Sequence, residues 1–261
     1  MTTYKNILVE REDDICIITI NRPQVLNALN PETMRELGQA ADAIASDLSI
    51  RAVIITGAGE KAFVAGADIA SMSNMGLWEG REWGVLGGDV CRKIEELPQV
   101  VIGAINGYAL GGGTVLAYSC NIRIASEKAV FGLPEVSLGI MAGFACTQEL
   151  PRIIGVSNAI DLMTTGRFID ANEAKSMGLV NHIVPQDAVM NTAKEIAKKI
   201  ASNGPLAVRL TKRAIMEGMS MDMAAARIYE RELHGLCFTT EDQKEGMKAF
   251  LEKRKANFID K

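Results

Sequence analysis

The chain begins in short β-branched runs and ends in long helical ones. Residues 7–11 and 15–20 are two apolar runs separated by Asp13-Asp14, the pattern of a hairpin. Asn21-Arg22-Pro23 stops the second run. Asn30, Pro31 and Glu32 then read as cap, first helical position and first-turn acid of a helix reaching Ser46. Residues 51–56 (RAVIIT) form a continuous apolar run, as expected of a strand buried on both faces. Residues 58–76 read as a Gly- and Ala-rich loop, and 79–97 as an amphipathic helix ended by Pro98. Further strands are predicted at 100–105 and 122–125, with a short helix after Gly111-Gly112-Gly113. From Ala145 the period is helical: 145–154, 157–165, 170–177, 187–201, 205–217, 221–235 and 241–255. Gly166, Gly178, Gly204 and Gly218 punctuate these segments as C-caps would. Strand, strand, helix recurs in the first half, but no sequence repeat accompanies it.

Composition narrows the class. The chain has 261 residues, 48% of them hydrophobic and 23% charged, which predicts an ordinary globular core. A net charge of −4 argues against a broad nucleic-acid footprint. The start of the chain, residues 1–12, is too charged for a signal peptide. The most apolar stretch, 100–118, is broken by glycines and Asn106 and fits a buried strand-turn-helix better than a membrane span. With only two histidines, His182 and His234, in different segments, no His-rich metal site is expected. His182 lies in an alternating strand and reads as structural. The five cysteines have no CxxC pair and read as reduced thiols of a cytoplasmic protein. Cys146, near Gly143 in a predicted loop, is the one placed where a thiol could matter.

Two glycine turns and two acids are candidate chemistry. Residues 57–62 (GAGEKA) match the G-x-G-x-x-G/A dinucleotide fingerprint, with Glu79 near the expected ribose acid. The residues that follow have no helical period, so a simple strand-ending turn is the better reading. The second turn, 106–113 (NGYALGGG), opens a helix, where free backbone N–H groups and the helix dipole suit an oxygen that becomes an anion. Close helix packing explains the same glycines equally well. Glu135 stands in an apolar run (FGLPEVSL), where a carboxylate is costly unless paired, neutral or working as an acid/base. A surface acid after a proline turn is the alternative. Asp68 reads as an N-cap. Lys253-Arg254-Lys255 reads as a solvated helix end that could also meet phosphates.

Taken together, AFVAGADI (62–69), NGYALGGG (106–113), FGLPEVSLGI (131–140), TGRFIDANEAKSMGLVNHIV (165–184) and AFLEKRKANF (249–258) resemble the crotonase, or enoyl-CoA hydratase/isomerase, superfamily over essentially the whole chain. The resemblance implies an α/β fold, a crotonase-like spiral of ββα turns over 1–200 with a helical trimerisation region over 201–261, and a homotrimer or dimer of trimers. It implies an acyl-CoA substrate, with coenzyme A as part of the substrate and no other cofactor. It places the oxyanion-hole N–H groups at Ala67 and Gly112 and the catalytic carboxylate at Glu135. Coenzyme A would lie along Val25, Leu26, Ala28, Ala65, Asp68 and Ile69, with Lys253 near a phosphate and His234 near the adenine. Val115, Leu133, Ala142, Gly143 and Phe144 would border the acyl pocket.

The departures from the family pattern bear on mechanism. Family hydratases carry a second glutamate two residues beyond the glycine triplet, and here that position is Val115. The loop usually written PGxGGTQRL reads AGFACTQEL over 142–150, with more bulk and with Glu149 in place of a base. Asn121 replaces a common acid. Syn hydration needs an acid/base pair, whereas moving a double bond from the 3- to the 2-position needs one base. The expected activity is therefore double-bond isomerisation with Glu135 as sole acid/base. Hydration or dehydration, and a non-catalytic acyl-CoA-binding role, remain as alternatives.

Overall fold

A computed structural model describes residues 4–261. Residues 1–3, part of the segment read above for a signal peptide, lie outside it. The predicted hairpin forms from β1 (Ile7–Glu12) and β2 (Ile15–Ile20), with Asp13 at φ 54° in the turn. Helix α1 (Pro31–Ser46) is capped as expected: the Asn30 side chain accepts from the Thr33 N–H at 2.8 Å. Strand β3 (Ala52–Gly57) is buried throughout. The stretch expected to be loop contains β4 (Ala62–Val64) and a short helix α2 (Ile69–Met72), and α3 (Leu77–Glu95) follows. Next come β5 (Val100–Ile105), β6 (Tyr108–Leu110), α4 (Gly112–Ser119), β7 (Ile122–Ser126) and β8 (Val130–Gly132). The second half carries α5 (Cys146–Ile154), α6 (Val156–Thr165), β9 (Phe168–Asp170), α7 (Ala171–Ser176) and β10 (His182–Val184). It ends in α8 (Val189–Ala201), α9 (Pro205–Gly218), α10 (Met223–Cys237) and α11 (Glu241–Leu251).

The recurring strand pairs divide between two sheets. In the pairs β3/β4, β5/β6 and β7/β8 the first strand joins a six-stranded sheet ordered β1-β2-β3-β5-β7-β10, parallel except for β1. The second joins a four-stranded sheet ordered β4-β6-β8-β9, with β9 antiparallel. Three-residue strands such as β4, β6 and β8 are too short to show a period, which is why sequence patterning missed them. One core, including Ile18, Leu37, Val53, Ile94, Leu116 and Phe131, fills the space among the sheets, α1, α3 and α4. A second, with Ile17, Ile54, Ile102 and Ile124, meets Ala193 and Ala197 of α8 on the other face. Burial on both faces explains the unbroken apolar run of β3.

Two of the four glycine caps differ from expectation. Gly166 (φ 66°) and Gly178 (φ 86°) do terminate helices in the left-handed conformation. Gly204 instead precedes α9 as its N-cap, because Pro205 is that helix's first residue. Gly218 is the last helical residue of α9, and Met219 caps it.

Candidate active site

Because the strands of the larger sheet run parallel, the loops leaving β2, β3, β5 and β7 emerge at one end, and the candidates from Val25 to Glu135 sit on the segments that follow those strands. Two loops are tied together first. The Leu29 N–H donates to the Gly66 carbonyl at 2.8 Å, the Asp68 N–H to Leu29 O at 2.7 Å, and the Ala65 N–H to Leu26 O at 3.0 Å. Arg22 clamps the same pair: its guanidinium donates to the Ala28 carbonyl and pairs with the Asp68 carboxylate at 3.0 Å. Asn27, fully buried at φ 60°, donates to the carbonyls of Ala58 and Ala62 at 3.0 and 2.9 Å. Val25, Leu26 and Ile69 remain exposed on this platform. Asp68 occupies the N-cap position of α2, but its side chain makes no cap bond and serves Arg22 instead, which corrects the capping role expected of it.

The second turn is built by close backbone contact. Thr114 Oγ1 donates to Ala109 O at 2.6 Å and accepts from the Gly132 N–H at 3.3 Å, stapling the start of α4 to β6 and β8. A Cβ on Gly113 would fall 1.9 Å from the Val64 carbonyl oxygen, so only glycine lets α4 lie on β4. Gly111 has φ +51°, and its N–H donates to Gly132 O at 2.8 Å. Gly112 opens α4, so its N–H is one of the groups a helix leaves without an internal acceptor. Among the described residues, neither this N–H nor that of Ala67 meets a backbone carbonyl in the loops.

Glu135 lies on a 3-10 turn over Pro134–Leu138 and faces this glycine turn. A Cβ on Gly111 would be 2.8 Å from Glu135 Oε1, and the same Gly111 lies against Gly66. Glu135 Oε2 is buried without a hydrogen-bond partner. Burial raises its pKa, opposed only by a hydrogen bond with its own backbone. A desolvated carboxylate with no ion-pair partner, packed against the glycine turn that opens α4, has the makings of a general base.

Phe144 is the other occupant. Its ring lies 3.3 Å from where a Gly112 Cβ would stand and packs edge-on to Trp83, 5.0 Å between centroids. Phe144 and Ala145 hold φ of 56° and 63°, a conformation costing non-glycine residues about 1–2 kcal/mol each. The rebuilt loop thus keeps a glycine-type backbone while carrying side chains. Val115 is buried on α4, one turn beyond Gly112, and Leu133 is buried just ahead of Glu135. Ala142 is buried, whereas Gly143 points into open space.

Other expectations meet mixed outcomes. His182 is exposed on β10. Cys146 is fully buried in the first turn of α5, and burial pushes its thiol up to about 12, so it is no nucleophile at neutral pH. All five cysteines are free, though Cys237 is only half-buried. Residues 57–62 lead into β4 and not into a helix, so the dinucleotide fingerprint lacks its structural context. Asn121 has a structural task, its side-chain oxygen accepting from the Val101 N–H at 2.8 Å. Lys253 is exposed at φ 53°, and His234 packs edge-on to Phe238. The C-terminal tail and α9 are anchored at the opposite end of the sheet. Arg51 Nη2 there donates to the Phe258 carbonyl at 3.1 Å, and Lys212 Nζ to Leu97 O and Gln99 O at 2.6 and 2.8 Å. No hydrogen bond or ion pair links His234 or Lys253 to the two tied loops within the described residues. Arg22 and Asn27 carried no motif, and the only hint was the turn chemistry of Asn21-Arg22-Pro23.

Among the described residues, no helix is long and apolar enough to cross a membrane, and no group of three His, Cys, Asp or Glu side chains is placed to hold a metal ion. The family model for enoyl-CoA hydratase/isomerase matches residues 10–261. The short-chain-enoyl-CoA hydratase of Clostridium acetobutylicum is 52% identical, covering 96% of both chains. The crotonyl-CoA hydratase of Syntrophomonas wolfei is 51% identical over 99% of both. A crystal structure of enoyl-CoA hydratase from Bacillus anthracis superposes with a TM-score of 0.96 at 43% identity, covering 98% of this chain and all (100%) of that one. The paired sheets, the glycine turn and these likenesses agree: the chain belongs to the enoyl-CoA hydratase/isomerase (crotonase) family of enzymes, with its ββα spiral and helical C-terminal region.

Proposed function

We propose that this enzyme binds an acyl-CoA thioester and moves its double bond from the 3- to the 2-position. The observation carrying the reading is the lone carboxylate of Glu135, desolvated and unpaired beside the Gly111 turn, with Val115 where a second glutamate would be needed. The thioester oxygen sits between the N–H groups of Ala67 and Gly112. As Glu135 removes a proton from the α carbon, the electron pair delocalises to that oxygen, and the two donors stabilise the charge. Each such donor is worth about 3–4 kcal/mol. The resulting dienolate takes the same proton back at its γ carbon, leaving Glu135 ionised and the double bond conjugated. A valine can neither orient water nor supply a proton, and the Phe144 ring beside Gly112 helps keep water out.

Coenzyme A would run over the platform of Val25, Leu26, Ala28, Ala65, Asp68 and Ile69, which Arg22 holds together. Exposed apolar side chains on the C-terminal helices, among them Met219, Met223, Ile228 and Phe250, support assembly into a homotrimer or dimer of trimers through 201–261. No hydrogen bond or ion pair ties His234 or Lys253 to the platform among the described residues, and their part in nucleotide binding rests on the family resemblance alone. Five free cysteines support a reducing, cytoplasmic setting.

Hydration is the second reading, favoured by the activity named for the two curated relatives that are more than half identical. Parallel assays with 3-enoyl-CoA and 2-enoyl-CoA separate the two. The proposal expects faster isomerisation, lost in Glu135→Gln. Fast hydration of crotonyl-CoA by the wild type, abolished in that variant, would overturn it.

A further inference from the structure

β4, β6 and β8 lie side by side in the smaller sheet, and each is entered through a turn from the larger one: residues 58–61 after β3, 106–107 after β5 and 127–129 after β7. Each strand has three residues, so about 10 Å separates its start from its end. Beyond the far ends stand the groups assigned to the reaction: Ala67 after β4, Gly112 after β6 and Glu135 after β8. The placement of two donors against one base therefore depends on how three short strands are set against one another where they begin. Parallel pairs this short hold little register of their own, and the β4–β6 register shifts between Ala62 and Val64.

One side chain touches all three entrances. Gln186, half-buried just past β10, donates from Nε2 to the Asn106 carbonyl at 2.6 Å and to the Glu60 carbonyl at 3.3 Å. Its Oε1 accepts from the hydroxyl of Ser126, the last residue of β7. Ser126 is fully buried, and its Oγ accepts from the Lys128 N–H at 3.0 Å, inside the turn that leads to β8. Asn106 carries the tie further, donating from Nδ2 to the carbonyls of Gly57 and Gly59 at 2.9 and 2.6 Å. The entrances are also packed closely: a Cβ on Gly107 would lie 2.2 Å from the Lys61 carbonyl oxygen. A shift of one turn is therefore passed to its neighbours. A carboxamide suits this position because it donates twice and accepts from one neutral group.

We propose that Gln186 is a positioning residue for the reaction: by fixing the starts of β4, β6 and β8, it sets the Ala67 and Gly112 N–H groups against the Glu135 carboxylate. The proposal rests on the acyl-CoA reading above and on those three groups serving it, but not on which double-bond reaction follows. Grip on coenzyme A is left to the platform, which Arg22 and the Leu29–Gly66 and Leu26–Ala65 backbone bonds hold without Gln186. Loosening the entrances therefore disturbs the enolate-stabilising arrangement and spares ground-state affinity.

The test compares two variants of the full chain. Gln186→Glu keeps the shape and the acceptor but has no N–H to give the Asn106 and Glu60 carbonyls. Gln186→Met keeps only the length, and guards against a folding defect in the charged variant. With 3-enoyl-CoA or crotonyl-CoA, whichever the wild type turns over, both should lose roughly 10–10²-fold in kcat with KM little changed, the scale of an ångström's misplacement. Binding supplies a readout without turnover. Acetoacetyl-CoA bound as its enolate, followed by near-ultraviolet absorbance, should bind about tenfold more weakly, part of the cost of one misplaced oxyanion donor. Butyryl-CoA, followed by calorimetry, should bind as it does to the wild type. Gln99→Met is the control. It removes a buried carboxamide at the opposite end of the sheet, where Gln99 Nε2 donates to the carbonyls of Ile44 and Asp47 at 3.0 and 3.2 Å. That variant should lower Tm and leave kcat and acetoacetyl-CoA binding unchanged. Wild-type kcat in both Gln186 variants, or an equal loss of kcat in Gln99→Met, would overturn the positioning role. If the wild type binds neither thioester, the acyl-CoA reading falls and this proposal with it. If the wild type and both Gln186 variants bind the two thioesters alike, the Gln186 proposal alone falls.

Discussion

The Glu135 carboxylate rests against the backbone of Gly111, so close that a Cβ there would lie 2.8 Å from Oε1. The same glycine has φ +51°, and its N–H ties β6 to β8 through Gly132. Gly111→Ala therefore combines backbone strain of about 1–3 kcal/mol, at φ 51° and ψ −123°, with displacement of the base. Misplacing a reacting group by an ångström costs roughly 10²-fold. The variant should lose activity on that order while remaining folded, as read from turnover and a thermal melt. Full activity would show that Glu135 tolerates movement and is not the base.

Burial raises the Glu135 carboxyl above its ordinary 4.5, and its only counterweight is a hydrogen bond with its own backbone. A base must be ionised to work, so kcat/KM should rise with pH and inflect above that ordinary value. Glu135→Gln should remove this limb and lower the rate by roughly 10²–10⁴-fold. The stability effect has a definite sign as well. Between its ordinary and raised values the folded chain holds a proton that the unfolded chain has released, so ionisation weakens the fold. Glu135→Gln should consequently gain Tm relative to the wild type as pH rises through that window. An equal difference at all pH values would show that Glu135 is not desolvated.

Much of the fold was legible because long elements advertise themselves. The helix from Pro31 carries a cap, a proline and an acid at its start, and the buried strand at residues 52–57 is an unbroken apolar run. The three-residue strands of the smaller sheet carry no period, and their positions come from tertiary contacts such as Gly113 on Val64. For the site, local sequence reached Glu135 and the glycine turn, since a lone acid in an apolar run and three adjacent glycines are unusual in themselves. It did not reach Arg22, whose partners Ala28 and Asp68 depend on how two distant loops meet. Asp68 looks like a cap for the same reason: its neighbours in sequence suggest one, whereas its partner in space is 46 residues away. The wedge of Phe144 against Gly87 was equally invisible, because it joins a loop to a helix more than fifty residues earlier.

Arg22 is a positioning residue for the platform. Its guanidinium reaches a carbonyl on one loop and a carboxylate on the other, and its side chain is 12% exposed. Arg22→Ala should loosen both loops, raising KM for the acyl-CoA about tenfold, equivalent to roughly 1.4 kcal/mol, with a smaller change in kcat. Arg22→Lys keeps the charge but loses the planar fork, so it should recover only part of the affinity. A fall in kcat with KM unchanged would place Arg22 in the chemistry instead.

Two half-buried groups of opposite charge, Glu95 and Lys212, should govern much of the pH dependence of stability. Burial, with Glu149 and Glu96 adding repulsion, pushes Glu95 up from 4.5 to about 7 despite Lys212 and Arg123. Burial likewise lowers Lys212 from 10.5 to about 8, although Glu95 opposes the shift. Between 4.5 and about 7 the folded chain retains a proton at Glu95 that the unfolded chain has lost, so stability falls as pH rises through that window. Between about 8 and 10.5 the unfolded chain keeps a proton that folded Lys212 lacks, so stability rises again. The wild type should therefore show a shallow minimum in Tm near the middle of the range. Glu95→Gln removes the acid-side fall, so its Tm relative to wild type should increase between about pH 5 and pH 8. Melts across that range check the point, and a difference independent of pH would mean that Glu95 ionises as freely in the fold as in the open chain.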